Sequence, residues 1–192
     1  MIISKQELAN ILKADKEQYI PKSFFEKFFF MITKNELIML YRYLRIARYQ
    51  AYYSNNRKRL INKILYTYYS RQKNIYQMKL GIDLNGNSFG AGVKIFHSCG
   101  IVVNKHSQIG DNCILRGNNC IGNNGKDKEC PDIGNNVDIG VGAKVIGRIH
   151  IANDIVIGAN AVVTKSFDEE GIIIAGIPAK KIGIRNKEYK DI

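Results

Sequence analysis

Apolar residues recur along this chain with two different periods, and the change between them falls near residue 80. In the first part the spacing is helical. Leu37, Leu40, Tyr41, Leu44 and Ala47 make one apolar stripe, as expected for a helix that buries one face. A second stripe, Leu60, Ile61, Ile64, Leu65, Tyr68 and Tyr69, predicts a further helix over about 57–78. Ser4-Lys5-Gln6-Glu7 and Thr33-Lys34-Asn35-Glu36 both fit a capping box. Pro21 suits the first turn of a short helix through Phe24, Phe25 and Phe28.

Beyond Leu80 the period is six. Val103, Ile109, Leu115 and Ile121 open the frame, and Ile133, Ile139, Val145, Ile151, Ile157 and Val163 continue it. Four positions after most of these stands a small or apolar residue: Cys113, Val137, Ala143, Ile149, Ile155 and Ala161, with Asn119 as the exception. All 17 glycines lie from Gly81 onward, where helices would be weakened by them. Ordinary strands alternate with period two and do not hold a fixed six-residue frame. Three six-residue units closing a triangular coil do, with the aliphatic residue pointing inward and Gly or Asn at the corners. Asn118, Asn119, Asn123, Asn124, Asn135, Asn136 and Asn153 suit such turns. The predicted class is therefore α+β: a helical region, 1–80, then a left-handed parallel β-helix, 81–183, then a short tail, 184–192.

The frame fails once. Asn123 to Asp132 is polar, with Asp127 where an aliphatic should stand. This predicts a loop leaving the prism, a common place for binding residues on solenoids.

Charge divides at the same boundary. Residues 1–80 hold 16 Lys and Arg against 5 Asp and Glu, and 10 of the 11 tyrosines. Residues 81–192 are nearly balanced. The basic, aromatic region reads first as an oligomerisation module with solvated cations. It could also contact an anionic polymer or a membrane surface; nucleic acid is disfavoured, because no recognition motif accompanies the charge. No signal segment or membrane span is evident, so a cytoplasmic location is expected, with peripheral attachment to the inner face of the membrane as an extension. The four cysteines form no Cys-x-x-Cys pair, which argues for free thiols and against a metal site.

Three stretches resemble the serine acetyltransferase-like group of hexapeptide-repeat acetyltransferases. They are Gly81-Ile82-Asp83 with Phe96-His97-Ser98-Cys99-Gly100-Ile101-Val102-Val103, then Ile133-Gly134 through Ile146-Gly147, and Ala161-Val162-Val163-Thr164-Lys165 followed by Ala175-Gly176-Ile177-Pro178-Ala179-Lys180. The resemblance implies a homotrimer, with grooves between subunits and helical regions able to pair trimers. It also implies acetyl-CoA as acyl donor and no metal. By the same resemblance His97 is the general base, with Asp83 orienting it. Val141 and Ala159 would line the pantetheine groove, Thr164 and Lys165 would add a contact pair, and Lys180 and Lys181 would face the nucleotide phosphates. His106 and His150 fall off the inward frame and are expected to face solvent.

Two departures stand out. The acidic residue often found before the histidine is Phe96 here. The extruded loop carries Glu129-Cys130-Pro131 where serine acetyltransferases carry Arg-His-Pro. The altered loop, with Asn123, Lys126, Glu129 and Cys130 as acceptor residues, leads to the expectation of a sugar or glycan hydroxyl as acceptor. Serine O-acetylation is the alternative, and a non-catalytic β-helix scaffold is a third reading.

Overall fold

The computed structural model describes residues 1–33, 35–125 and 128–186. Four helices come first: α1 (Lys5–Tyr19), α2 (Phe24–Ile32), α3 (Glu36–Asn55) and α4 (Leu60–Leu80). Ser4 caps α1 in a full capping box with Glu7. The second expected box does not form. Thr33 ends α2, its hydroxyl donating to the Phe29 carbonyl. Asn35 caps α3 instead, accepting from the Leu37 N–H. The Asn side chain sits closer to the first free amides, and this releases Glu36 from capping. Pro21 likewise lies outside the first turn of α2, which Ser23 begins. Gly81 takes the left-handed conformation, φ 64°, that turns α4 into the first strand.

The strands, numbered in chain order, stack as three faces of a prism. The first face holds β1 (Ile82–Asp83), β3 (Ile101–Val103), β6 (Cys120–Gly122), β9 (Lys144–Ile146) and β12 (Val162–Val163). The second holds β4 (Gln108–Ile109), β7 (Asp132–Ile133) and β10 (His150–Ile151). The third holds β2 (Lys94–Ile95), β5 (Ile114–Leu115), β8 (Asp138–Ile139), β11 (Val156–Ile157), β13 (Ile172–Gly176) and β14 (Ala179–Ile184). All pairings are parallel except β13–β14, which closes the end of the left-handed β-helix.

The frame residues behave as the period requires. Val103, Ile109, Leu115, Ile121, Ile133, Ile139, Val145, Ile151, Ile157 and Val163 are all buried and stack coil on coil. Burying each such side chain contributes about 1.5–3 kcal/mol. The prism starts one coil earlier than the frame suggested, since Phe89 bridges to Ile109 and Ile95 pairs with Leu115. Asn119 is the instructive exception. It points inward, fully buried, accepting from the Gly117 N–H and donating to the Gly140 carbonyl at 2.7 Å. A polar side chain is tolerated there because both its ends are satisfied.

The helices share this core. Tyr19, Leu40, Tyr43, Leu44 and Ala47 cluster with Ile82, Leu84 and Phe89. A buried Arg48 locks the two parts together. Its Nε lies 2.9 Å from Asp15 Oδ2, and its other nitrogens donate to the carbonyls of Gly86, Phe89 and Gly90. Asp15 in turn accepts from the Gly92 N–H. At Gly86 an added Cβ would stand 2.3 Å from the Ala47 carbonyl oxygen, so only glycine lets α3 pack this closely.

One expected packing face is packed only along one margin, at Leu65 and Tyr69, which are partly buried. Leu60, Ile61, Ile64 and Tyr68 of α4 are exposed, and α4 buries only Leu80. Its contact with α3 runs along that margin, through Tyr69 stacked on Tyr49 and Tyr53. α2 buries no residue at all, leaving Phe24, Phe25, Phe28 and Phe29 exposed.

Candidate active site on a prism edge

His97 lies between β2 and β3, where the third face turns into the first. Cys99 and Gly100 make that turn with φ of 87° and 66°. The same edge is occupied one coil on by Gly117, then by Val141, then by Ala159. Backbone bonds join the steps: Asn118 N–H to Cys99 O, Gly142 N–H to Gly117 O, Asn160 N–H to Val141 O. A Cβ on Gly117 would stand 3.4 Å from that of His97, and its φ of 125° favours glycine. His97 thus sits over a corner with no side chain of its own. Val141 and Ala159 are both exposed. With coils about 4.8 Å apart, His97 to Ala159 spans roughly 14 Å. Lys180, exposed on β14 and paired in register with Ala175, continues past the same end.

The carboxylate beside His97 is Glu36, not Asp83. Glu36 Oε2 lies 3.5 Å from His97 Nδ1, and its Oε1 accepts from the Ser98 N–H at 2.5 Å. Partial burial pushes the Glu36 carboxyl up, but hydrogen bonds from Ser98 and His97 outweigh this and hold it below the usual carboxylate range. Asp83 is in β1, in register with Val102. Its neighbours include Lys73, whose ammonium burial pulls down and the Asp83 charge partly restores. A sequence reading could not find Glu36, because the contact joins the start of α3 to a distant turn. Phe96, in the position expected to be acidic, instead carries Lys94 and Arg116 over its ring at 4.4 and 5.1 Å.

The remaining residues of interest lie on a different edge, between the first and second faces. The extruded segment leaves there, after β6. Ile109 and Ile133 pair across 24 positions of sequence, whereas Ile133 and Ile151 pair across 18. Asn123, Glu129 and Cys130 belong to this segment; Lys126 lies outside the described residues. Thr164 and Lys165, exposed after β12, are at the same edge two coils on. Within one chain the structure therefore separates these from His97. Lys181 is also set apart, with its Nζ 2.6 Å from Glu169 Oε1.

A cavity of about 560 Å³ opens beside the loop, lined by Cys130, Glu129, Arg148, His106, His150 and others. His106 and His150, expected simply to face solvent, meet here. His150 Nδ1 is 3.3 Å from Asp132 Oδ2, and Arg148 Nε is 2.8 Å from Glu129 Oε2. Among the described residues no cluster of His, Cys, Asp and Glu is arranged to hold a metal ion.

The prism, its edge histidine and the closing hairpin define a hexapeptide-repeat transferase fold of the serine acetyltransferase-like kind. The particular likenesses are to serine acetyltransferases themselves. The chain is 38% identical over 106 residues to that of Mycobacterium tuberculosis, covering 54% of this chain and 46% of the relative. It is 39% identical over 111 residues to that of Staphylococcus aureus, covering 55% and 52%. The chain thus spans about half the length of the curated relatives it matches. No family model matches. Among solved structures, Neisseria gonorrhoeae serine acetyltransferase superposes with TM-score 0.74 at 21% identity, covering 96% of this chain and 69% of that one. Brucella abortus serine acetyltransferase in complex with coenzyme A gives 0.73 at 20%, covering 95% and 70%. The soybean enzyme complexed with serine gives 0.72 at 23%, covering 93% and 70%.

These likenesses overturn the expected sugar or glycan acceptor, since relatives and structural neighbours alike are serine acetyltransferases. The expectation rested on the missing Arg-His pair in the loop. The fold brings Arg148 and His150 to the base of that loop from elsewhere, so a guanidinium and an imidazole are not lost from the cavity.

Proposed function

We propose that this protein transfers an acetyl group from acetyl-CoA to the hydroxyl of serine, with His97 as general base. The observation that carries the proposal is the shared edge: an exposed imidazole, 67% accessible, heads a line that runs through Val141 and Ala159 toward Lys180. An extended thioester fits such a line, with its phosphates toward the lysine and its carbonyl at the histidine.

With Nδ1 facing Glu36, His97 presents Nε2 outward. Nε2 takes the proton of the serine hydroxyl as that oxygen attacks the thioester carbonyl. The C–S bond then breaks, and the thiolate leaves with that proton as coenzyme A. Glu36 steadies the imidazolium formed meanwhile, the task first assigned to Asp83. A free amino acid carries both charges, and the loop cavity offers both, in Arg148 and in Glu129 and Asp132.

The separation of the two edges favours a site shared by adjacent copies in a homotrimer. In that arrangement the edge of His97 faces the Thr164–Lys165 edge and loop of a neighbour. The test is release of coenzyme A by the purified protein from acetyl-CoA with and without L-serine. Serine-dependent release that disappears in His97→Ala supports the reading. Release that serine does not accelerate, or that survives His97→Ala, refutes it.

A further inference from the structure

The exposed side of α4 is not random surface. At about 100° per residue, Leu60, Ile61, Ile64, Tyr68, Ile75 and Met78 fall within one sector of about 100°. Each is at least 44% exposed. The stripe runs about 27 Å along the helix axis. The helix is held from another side, where Tyr69 stacks on Tyr49 and Tyr53 and Tyr76 packs against the core. The apolar stripe is thus fixed outward rather than waiting for α3.

Its charge setting is one-sided. From Arg57 to Leu80 the sequence has seven Lys and Arg and no Asp or Glu. Arg57, Lys58 and Arg59 lie at the start of the stripe, Arg71 within it and Lys79 at its end. A second copy of the same face would set these cations against their equivalents with no counter-charge. An anionic bilayer supplies both missing parts: hydrocarbon for the stripe and phosphate for the cations, whose long stems can reach the headgroups. No described helix is long and apolar enough to cross a membrane, so the contact is in the plane of the surface.

We infer that α4 is an interfacial helix that docks the protein on an anionic lipid surface through the Leu60–Met78 stripe. This goes beyond the acetyl-transfer reading and does not depend on it. The test is co-sedimentation of the full chain with vesicles of phosphatidylcholine alone or mixed with phosphatidylglycerol. Binding to the mixed vesicles should exceed binding to the neutral ones at least about tenfold and should fall as salt is raised. Ile61→Glu with Ile64→Glu should abolish it. Lys58→Glu with Arg59→Glu touches no packed apolar position. It should weaken binding about tenfold with an unchanged circular-dichroism melt, and so decides the matter if the first pair fails to fold. Absence of a preference for the anionic vesicles overturns the inference. So does dissociation of the native assembly by the folded Ile61/Ile64 variant in sedimentation equilibrium, which would assign the stripe to a second copy of the chain.

Discussion

Glu36 at the start of α3 holds the Nδ1 side of His97 at 3.5 Å while also accepting the N–H of Ser98 at 2.5 Å. The helical region therefore contributes directly to the geometry of the imidazole. Glu36→Gln keeps the shape and removes the charge, and should lower kcat about tenfold with little change in KM for acetyl-CoA. Asp83→Asn should have the smaller effect. Steady-state kinetics on both variants distinguishes the two carboxylates, and a larger loss at Asp83 would return the orienting role to it.

The same contact should show in stability. The carboxyl of Glu36 is held below its ordinary range in the fold, so its contribution is present above that range and lost as pH falls through the lowered value. Melting temperatures of wild type and Glu36→Gln should therefore differ at neutral pH and converge in acid. A difference that stays constant with pH would show that charge is not what matters.

Arg48 and Asp15 are both fully buried. Arg48→Met strands a carboxylate and should cost about 3–5 kcal/mol at neutral pH. Burial already pushes the Asp15 carboxyl up despite Arg48. A raised acid loses stability as pH rises through the carboxylate range, so the deficit of Arg48→Met should be smaller in mild acid than at pH 7. Urea denaturation at two pH values measures this.

Asn119 ties the Gly117 N–H to the Gly140 carbonyl. Asn119→Ala leaves both unpaired and should destabilise by about 1–3 kcal/mol. Because Gly117 lies under His97, kcat should fall as well. Denaturation and kinetics on the same preparation would show whether the two losses occur together.

Lys180 and Lys181 differ in their surroundings. Lys181 is engaged with Glu169, whereas Lys180 lies on the His97 edge. Lys180→Ala should raise KM for acetyl-CoA about tenfold, and Lys181→Ala by much less. Equal effects would argue against the assigned path.

The six-residue frame made the prism legible because the same physical demand recurs at every coil: an aliphatic side chain stacked on its equivalents. His97, Val141 and Ala159 could be named from motifs, but not that they share an edge, which depends on where each corner falls. What stayed hidden came from contacts between distant segments. Glu36 read as a cap until Asn35 took that place. Arg48 read as one more surface cation, although it is fully buried. The stripe of α4 was legible as amphipathic, but periodicity cannot say whether an apolar face meets the protein or something outside it. The acceptor is not legible from the two loop positions alone, because Arg148 and His150 stand beside them only in the fold.

The extruded loop adds six residues at one corner without disturbing the register of the coils on either side. A corner of this scaffold can be lengthened, shortened or rewritten while the neighbouring edge keeps its shape. On the proposed acetyl-transfer reading, recognition of the acceptor in this loop and handling of the donor along the His97 edge are mechanically uncoupled, and a graft of this segment between related chains should exchange preference while leaving the donor side intact.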